Sequence, residues 1–161
     1  MSAVINSETA MDSVRQSGRN RQYAIFTMGS LSFGIEVQQV QEVLRQLDIT
    51  PVPLAPDVIE GLINLRGQIV TAVDMRRRLG LPKRREGEAA MNIVVRSDDG
   101  LVSLLVDEIE DVIEVQADRY EQVPSGLPQA QAEMIDGVYK LDGRLLLVLA
   151  TERVLQASVY R

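Results

Sequence analysis

The chain has 161 residues, 45% of them hydrophobic and only 4% aromatic, enough for one compact domain or two small subdomains filled mainly with aliphatic side chains. A net charge of -6 argues against a general nucleic-acid binder, because holding phosphates needs an excess of Lys and Arg. With no His and no Cys, the chain lacks the usual acid–base group near neutral pH, every His-based triad, disulfides and thiolate sites, so no catalytic, cofactor or metal site is expected and the protein reads as a non-enzyme.

Residues 1–20 read as a flexible polar tail with no apolar core of a secretory signal. No apolar run approaches the roughly 18 residues needed to cross a bilayer, so a cytoplasmic location is expected. Arg21 to Met28 and Leu31 to Glu36 read as strands around a turn at Gly29-Ser30. Val37 to Leu44 fits both helical and strand spacing. It is read as one helical turn followed by a strand from Val40 to about Gln46. Three prolines make Thr50 to Pro56 a rigid extended connection. Val58 to Leu65 and Gln68 to Val73 pair around Arg66-Gly67, and Asp74 caps a short helix that Gly80 and Pro82 end. Lys83 to Ala90 is a charged join.

Asn92 to Arg96 and Leu101 to Val106 flank Asp98-Asp99-Gly100, a hairpin signal. Asp107 to Val115 repeats the turn-then-strand pattern, and Gln116 to Glu133 is a long polar connection. Gly137 to Leu141 and Arg144 to Leu149 are joined by Asp142-Gly143. Thr151 to Tyr160 is a terminal helix with Thr151 as its N-cap.

The chain is written twice. Tyr23-Ala24-Ile25-Phe26 is echoed by Asn92-Ile93-Val94-Val95, and Phe33-Gly34-Ile35-Glu36 by Val102-Ser103-Leu104-Leu105. Val40-Gln41-Glu42-Val43 returns as Ile109-Glu110-Asp111-Val112, and residues 59–70 return as 135–146. Such self-similarity points to two copies of one small β-unit. Five short strands per copy suggest two small barrels or curled sheets. Each copy is marginal alone, so the two should pack together and leave a groove between them. Subdomains are expected at about 21–82 and 90–150, with the helix at 151–160.

The copies disagree at Arg66 against Asp142. The first central residue of a tight hairpin often needs positive φ, which Asp tolerates better than Arg. Arg66 is therefore either an exposed turn residue or a local violation kept for function. Val40 to Val43 is either a half-buried strand or an edge that receives a partner's helix. The basic residues Arg76, Arg77, Arg78, Lys83, Arg84 and Arg85, and the acidic stretch from Asp107 to Glu114, read as solvated faces.

The run Phe33-Gly34-Ile35-x-Val37-x-x-Val40-x-Glu42-Val43 and the run from Pro53 through Gly61-x-Ile63-Asn64-Leu65-Arg66-Gly67 to Arg76 together resemble the CheW family of chemotaxis coupling proteins and the related domain of the chemotaxis histidine kinase. The resemblance covers roughly Arg21 to Tyr160. It implies an all-β fold of two SH3-like five-stranded barrels about a pseudo-two-fold, plus the C-terminal helix. It also implies a non-enzymatic adaptor at receptor arrays on the inner membrane face, linking the cytoplasmic tips of transmembrane chemoreceptors to the histidine kinase. The alternative is an adaptor of the same type serving surface motility, pilus or biofilm control. Carried onto this chain, the receptor-binding surface comprises Val40, Glu42 and Val43, with Gly61, Asn64 and Arg66 from neighbouring strands. Val106, Ile109 and Val112 form an opposite wall. By the same resemblance the kinase's CheW-like domain meets the far end of the first barrel. Contact with nucleic acid is not implied, and contact with the membrane runs only through the receptors.

Overall fold

The computed structural model describes residues 20–45, 47–98 and 100–159, the side chains of 156–159 excepted. The expected tail and the end of the terminal helix at Tyr160 lie outside these residues. Ten strands are described: β1 (Asn20–Met28), β2 (Leu31–Glu36), β3 (Val40–Leu44), β4 (Ile59–Leu65), β5 (Gln68–Asp74), β6 (Met91–Ser97), β7 (Gly100–Val106), β8 (Glu108–Gln116), β9 (Ile135–Leu141) and β10 (Arg144–Leu149). Three helices accompany them: α1 (Met75–Arg78), α2 (Gln129–Ala132) and α3 (Thr151–Val159). The helical turn expected before β3 is a 3-10 turn at Val37–Gln39. A second 3-10 turn, Ala117–Arg119, and α2 lie inside the long polar connection after β8.

The strands form two five-stranded sheets, ordered β8-β1-β2-β10-β9 and β3-β6-β7-β5-β4. Exchanging each strand of the first repeat for its counterpart in the second converts one order into the other, which is the pseudo-two-fold written in the sequence. The sheets do not follow the expected bounds 21–82 and 90–150. Strands β1 and β2 join β8, β9 and β10, while β3, β4 and β5 join β6 and β7. After two strands the chain crosses to the other sheet, at Val37–Gln39 in the first repeat and at Asp107 in the second. The crossovers account for the parallel pairs β2–β10 and β5–β7 among otherwise antiparallel neighbours. A repeat folded alone would leave two isolated hairpins and a strand without a neighbour, too small to hold together in water.

The exchange creates three apolar layers. Phe26, Phe33 and Leu147 of the first sheet meet Val73, Ile93 and Leu104 of the second in a central core, capped by Val154 and Leu155 of α3. Alternate residues point into each lobe. Tyr23, Ile25, Tyr139 and Leu146 fill the first, and Ile63, Val70, Val94 and Leu105 fill the second. Strands covered on both faces read as continuous apolar runs such as Ile93-Val94-Val95, all fully buried.

An acidic node ties the crossover to its surroundings. Asp107 accepts from Arg76 Nε at 2.8 Å and Nη2 at 2.6 Å, from Arg84 Nη2 at 3.2 Å, and from the Gly29 N–H at 2.8 Å. Burial pushes the Asp107 carboxyl up, but these donors outweigh it and hold the group below the usual carboxylate range. Asp74 caps α1 as the sequence suggests, accepting from the Arg76 N–H at 3.0 Å. The cap of α3 differs from expectation. The Val154 N–H reaches Ala150 O at 3.1 Å, so the cap position belongs to Ala150, and Thr151 is already helical.

Candidate functional site

Strand β3 is an edge of the second sheet, and β4 is the opposite edge. Closing the barrel means bringing these edges together, and two devices do so. The extended connection after β3 bonds to β4 through Thr50 N–H to Leu62 O and Leu62 N–H to Thr50 O, both 2.8 Å. Beside it, Arg66 forks onto Glu42. Its Nη2 donates to Oε1 at 2.7 Å and its Nη1 donates to Oε2. The pair joins the β4–β5 turn to β3 across the seam. Hydrogen bonding from Arg66 holds the Glu42 carboxyl below its ordinary value, and Glu42 in turn raises the guanidinium.

The backbone of the turn explains how Arg66 reaches. Arg66 has φ 54° and Gly67 φ 88°, the mirror-image turn in which both central residues are left-handed. Asn64 Oδ1 accepts from the Gly67 N–H at 2.7 Å and stabilises that turn. Asp142 is not among the residues with positive φ, while Gly143 is, at 79°. Thus Arg adopts the strained conformation and Asp does not. The position equivalent to Glu42 is Asp111, so the second repeat carries two acids where the first carries this pair. The first lobe is bridged instead by Glu110 and Arg144, 3.0 Å apart.

The predicted surface residues separate by burial. Val43 is 41% exposed and its repeat counterpart Val112 52% exposed. Arg66 and Asn64 are exposed, and Glu42 is half-buried. Val40 and Ile109 are half-buried and pack on the central core. Val106 is fully buried in that core and cannot form an outer wall. Val106 ends β7, an interior strand of the second sheet, whereas Val112 lies on β8, the edge of the first. Gly61 is also buried. A Cβ there would lie 2.3 Å from Thr50 O, so its role is to let the seam connection approach, and Gly137 does the same beside Tyr120 and Glu121 in the other lobe.

Sequence reasoning missed what holds β3. The strand is bulged, Val40 opposing Val95 while Glu42 opposes Val94, which leaves Gln41 as the extra residue. Arg96 Nη1 of β6 donates to Gln38 O at 2.6 Å and Val40 O at 3.3 Å. Asn92 Nδ2 donates to Arg45 O at 3.2 Å and Oδ1 accepts from Ser103 at 2.9 Å. Both ends of β3 are therefore fastened by side chains of its neighbour. Two exposed apolar residues also went unread: Ile69, opposite Asn64, and Leu54 with φ 65° in the proline-rich connection. The prolines signalled rigidity there but not exposure.

Two exchanged five-stranded barrels, with an ion-paired seam and an exposed edge strand beside it, define a small β-scaffold class built to present surface. A family profile for the CheW-like domain matches residues 22–159, and the chain belongs to the CheW-like family. Chemotaxis protein CheW of Klebsiella aerogenes is 28% identical over 138 residues, covering 86% of this chain and 83% of that protein. Chemotaxis protein CheW of Bacillus subtilis is 31% identical over 131 residues, covering 81% and 84%. The crystal structure of the scaffolding protein TtCheW from Thermoanaerobacter tengcongensis aligns with TM-score 0.73 at 27% identity, over 80% of this chain and 88% of that one.

Proposed function

We propose that this chain is a cytoplasmic, non-catalytic adaptor that couples chemoreceptors to a chemotaxis histidine kinase in signalling arrays. Membership of a family whose members are named as chemotaxis and scaffolding proteins supports this reading. Among the described residues no helix is long and apolar enough to cross a membrane, which agrees with attachment through receptors.

The single observation that carries the docking surface is the Glu42–Arg66 clasp. It holds an exposed guanidinium against Glu42 on an edge strand that also carries the exposed Val43 and is fastened at both ends. A receptor tip is a helical hairpin, and helix-in-groove recognition uses such apolar anchors beside a charged group. The guanidinium presents a planar fork of donors to a carboxylate or a helix-end carbonyl. Val112 extends the surface on the other sheet, while Gly61 and Val106 support it from within. The kinase meets a separate part of the barrels.

The test is Arg66→Glu, which sets a second carboxylate against Glu42. The variant is expected to keep its circular dichroism spectrum and to lose about tenfold or more of its co-sedimentation with receptor-bearing membranes. Wild-type sedimentation by the folded variant rejects this surface. A pull-down against the cell's kinases and receptors identifies the pathway, and recovery of a kinase controlling surface motility or pili in place of a flagellar one assigns the other output.

A further inference from the structure

The pairings that assemble the two sheets run between the repeats. β1 pairs with β8, β2 with β10, β3 with β6 and β5 with β7, whereas each repeat by itself closes only hairpins. The central core is shared in the same way, Phe26, Phe33 and Val73 of the first repeat meeting Ile93, Leu104 and Leu147 of the second. Each half therefore presents a large apolar surface whose complement is the other half. A second copy of the chain carries the same complement.

One stretch of chain joins the halves, and it is anchored at both ends. Leu79 is buried, Leu81 donates its N–H to Arg76 O at 2.7 Å, and Arg84 reaches Asp107 at 3.2 Å. Ala90 is buried where β6 begins. Between these anchors Arg85 to Ala89 are all exposed. A turn closes within them, the Glu88 N–H donating to Arg85 O and the Arg85 N–H to Glu88 Oε1, both at 3.1 Å. Opening that turn gives up these two hydrogen bonds and leaves every contact between the repeats available.

We propose that two copies of this chain exchange halves at residues 85–89 to form a closed two-fold dimer, each globule holding residues 20–84 of one copy and 90–159 of the other. The single chain keeps its own second half at a high effective concentration, so exchange competes only when chains fold crowded together. Reversal requires both sheets to come apart, so an exchanged dimer persists once formed. In it β3 and the Glu42–Arg66 clasp belong to one copy, while Arg96 and Asn92, which fasten β3, belong to the other. On the adaptor reading the dimer is bivalent for receptors; the exchange itself does not rest on that reading.

The chain has no Cys, so introduced thiols report the exchange alone. Gln22 and Glu114 are exposed and directly opposed on β1 and β8, within reach of a disulfide. Gln22→Cys and Glu114→Cys are made in separate full-length chains, one carrying a tag so that heterodimers are resolved by size, then mixed in urea, refolded together and oxidised. The two positions lie on different molecules, and only exchange brings them face to face. A covalent heterodimer is expected on a non-reducing gel, its yield rising with protein concentration during refolding and lost when the chains are folded before mixing. Thr27→Cys with Glu108→Cys repeats the test at the other end of the same ladder. Gln22→Cys with Asp142→Cys, at the far end of that sheet, measures random collision. Circular dichroism checks that each variant is folded. No heterodimer from either opposed pair at any refolding concentration, or a yield no higher than that of the collision pair or of the prefolded mixture, overturns the proposal.

Discussion

Removing the carboxylate of Asp107 is expected to loosen the joint between the two sheets. The side chains concerned are only 18% exposed for Asp107, 16% for Arg76 and 15% for Arg84. Exposed ion pairs are worth at most about 1 kcal/mol, whereas stripping one partner from a buried pair costs about 3–5 kcal/mol. This node lies nearer the buried limit, and Asp107→Ala also abandons the Gly29 N–H and two guanidinium groups. The expected loss is about 2–4 kcal/mol. At about 2–4 °C per kcal/mol for a chain of this size, the melting midpoint falls by roughly 5–15 °C. Urea unfolding followed by circular dichroism measures it. The pH dependence supplies a second check. The folded-state pKa lies below the unfolded value of about 3.9, so the unfolded chain binds more protons in that window. The stabilisation is present above that value and is lost as pH falls through the folded pKa. The wild type should therefore lose more stability on acidification than Asp107→Asn. A loss under about 1 kcal/mol with parallel acid profiles would mean that the node behaves as an ordinary surface pair.

Three further substitutions test the lobes. Gly61→Ala forces a methyl against the Thr50 carbonyl and should cost about 2 kcal/mol or more by chemical denaturation, because backbone rather than a flexible side chain must move. Gly67→Ala meets open space at φ 88°, so only left-handed strain of about 1 kcal/mol is expected in the same assay. Asn92→Leu strands the Ser103 hydroxyl and the Arg45 carbonyl, with an expected loss of about 1–3 kcal/mol and faster amide exchange along β3.

Local patterns carried much of this architecture. Alternation, Gly-containing turns and the doubled motif give nearly every strand and the pseudo-symmetry, since each depends on neighbours within a few residues, whereas the turns reverse the local preference, Arg66 taking the positive φ that Asp142 does not. The pairing of Glu42 with Arg66 was also foreseeable, because both flanked one expected surface and carry opposite charge. Burial was less legible. Val106 and Val112 are both valines on strands flanking one crossover, yet one is enclosed by two sheets and the other faces water.

Partner choice among strands arose only in three dimensions. The two repeats encode nearly the same strands, so each strand is locally compatible with either sheet, and the chain's crossovers at Val37–Gln39 and Asp107 select the exchanged arrangement. The fastening of β3 by Arg96 and Asn92 likewise comes from residues distant in the chain. Short-range preferences act over a few residues, whereas enclosure and hydrogen-bond completion depend on which distant segments finally meet.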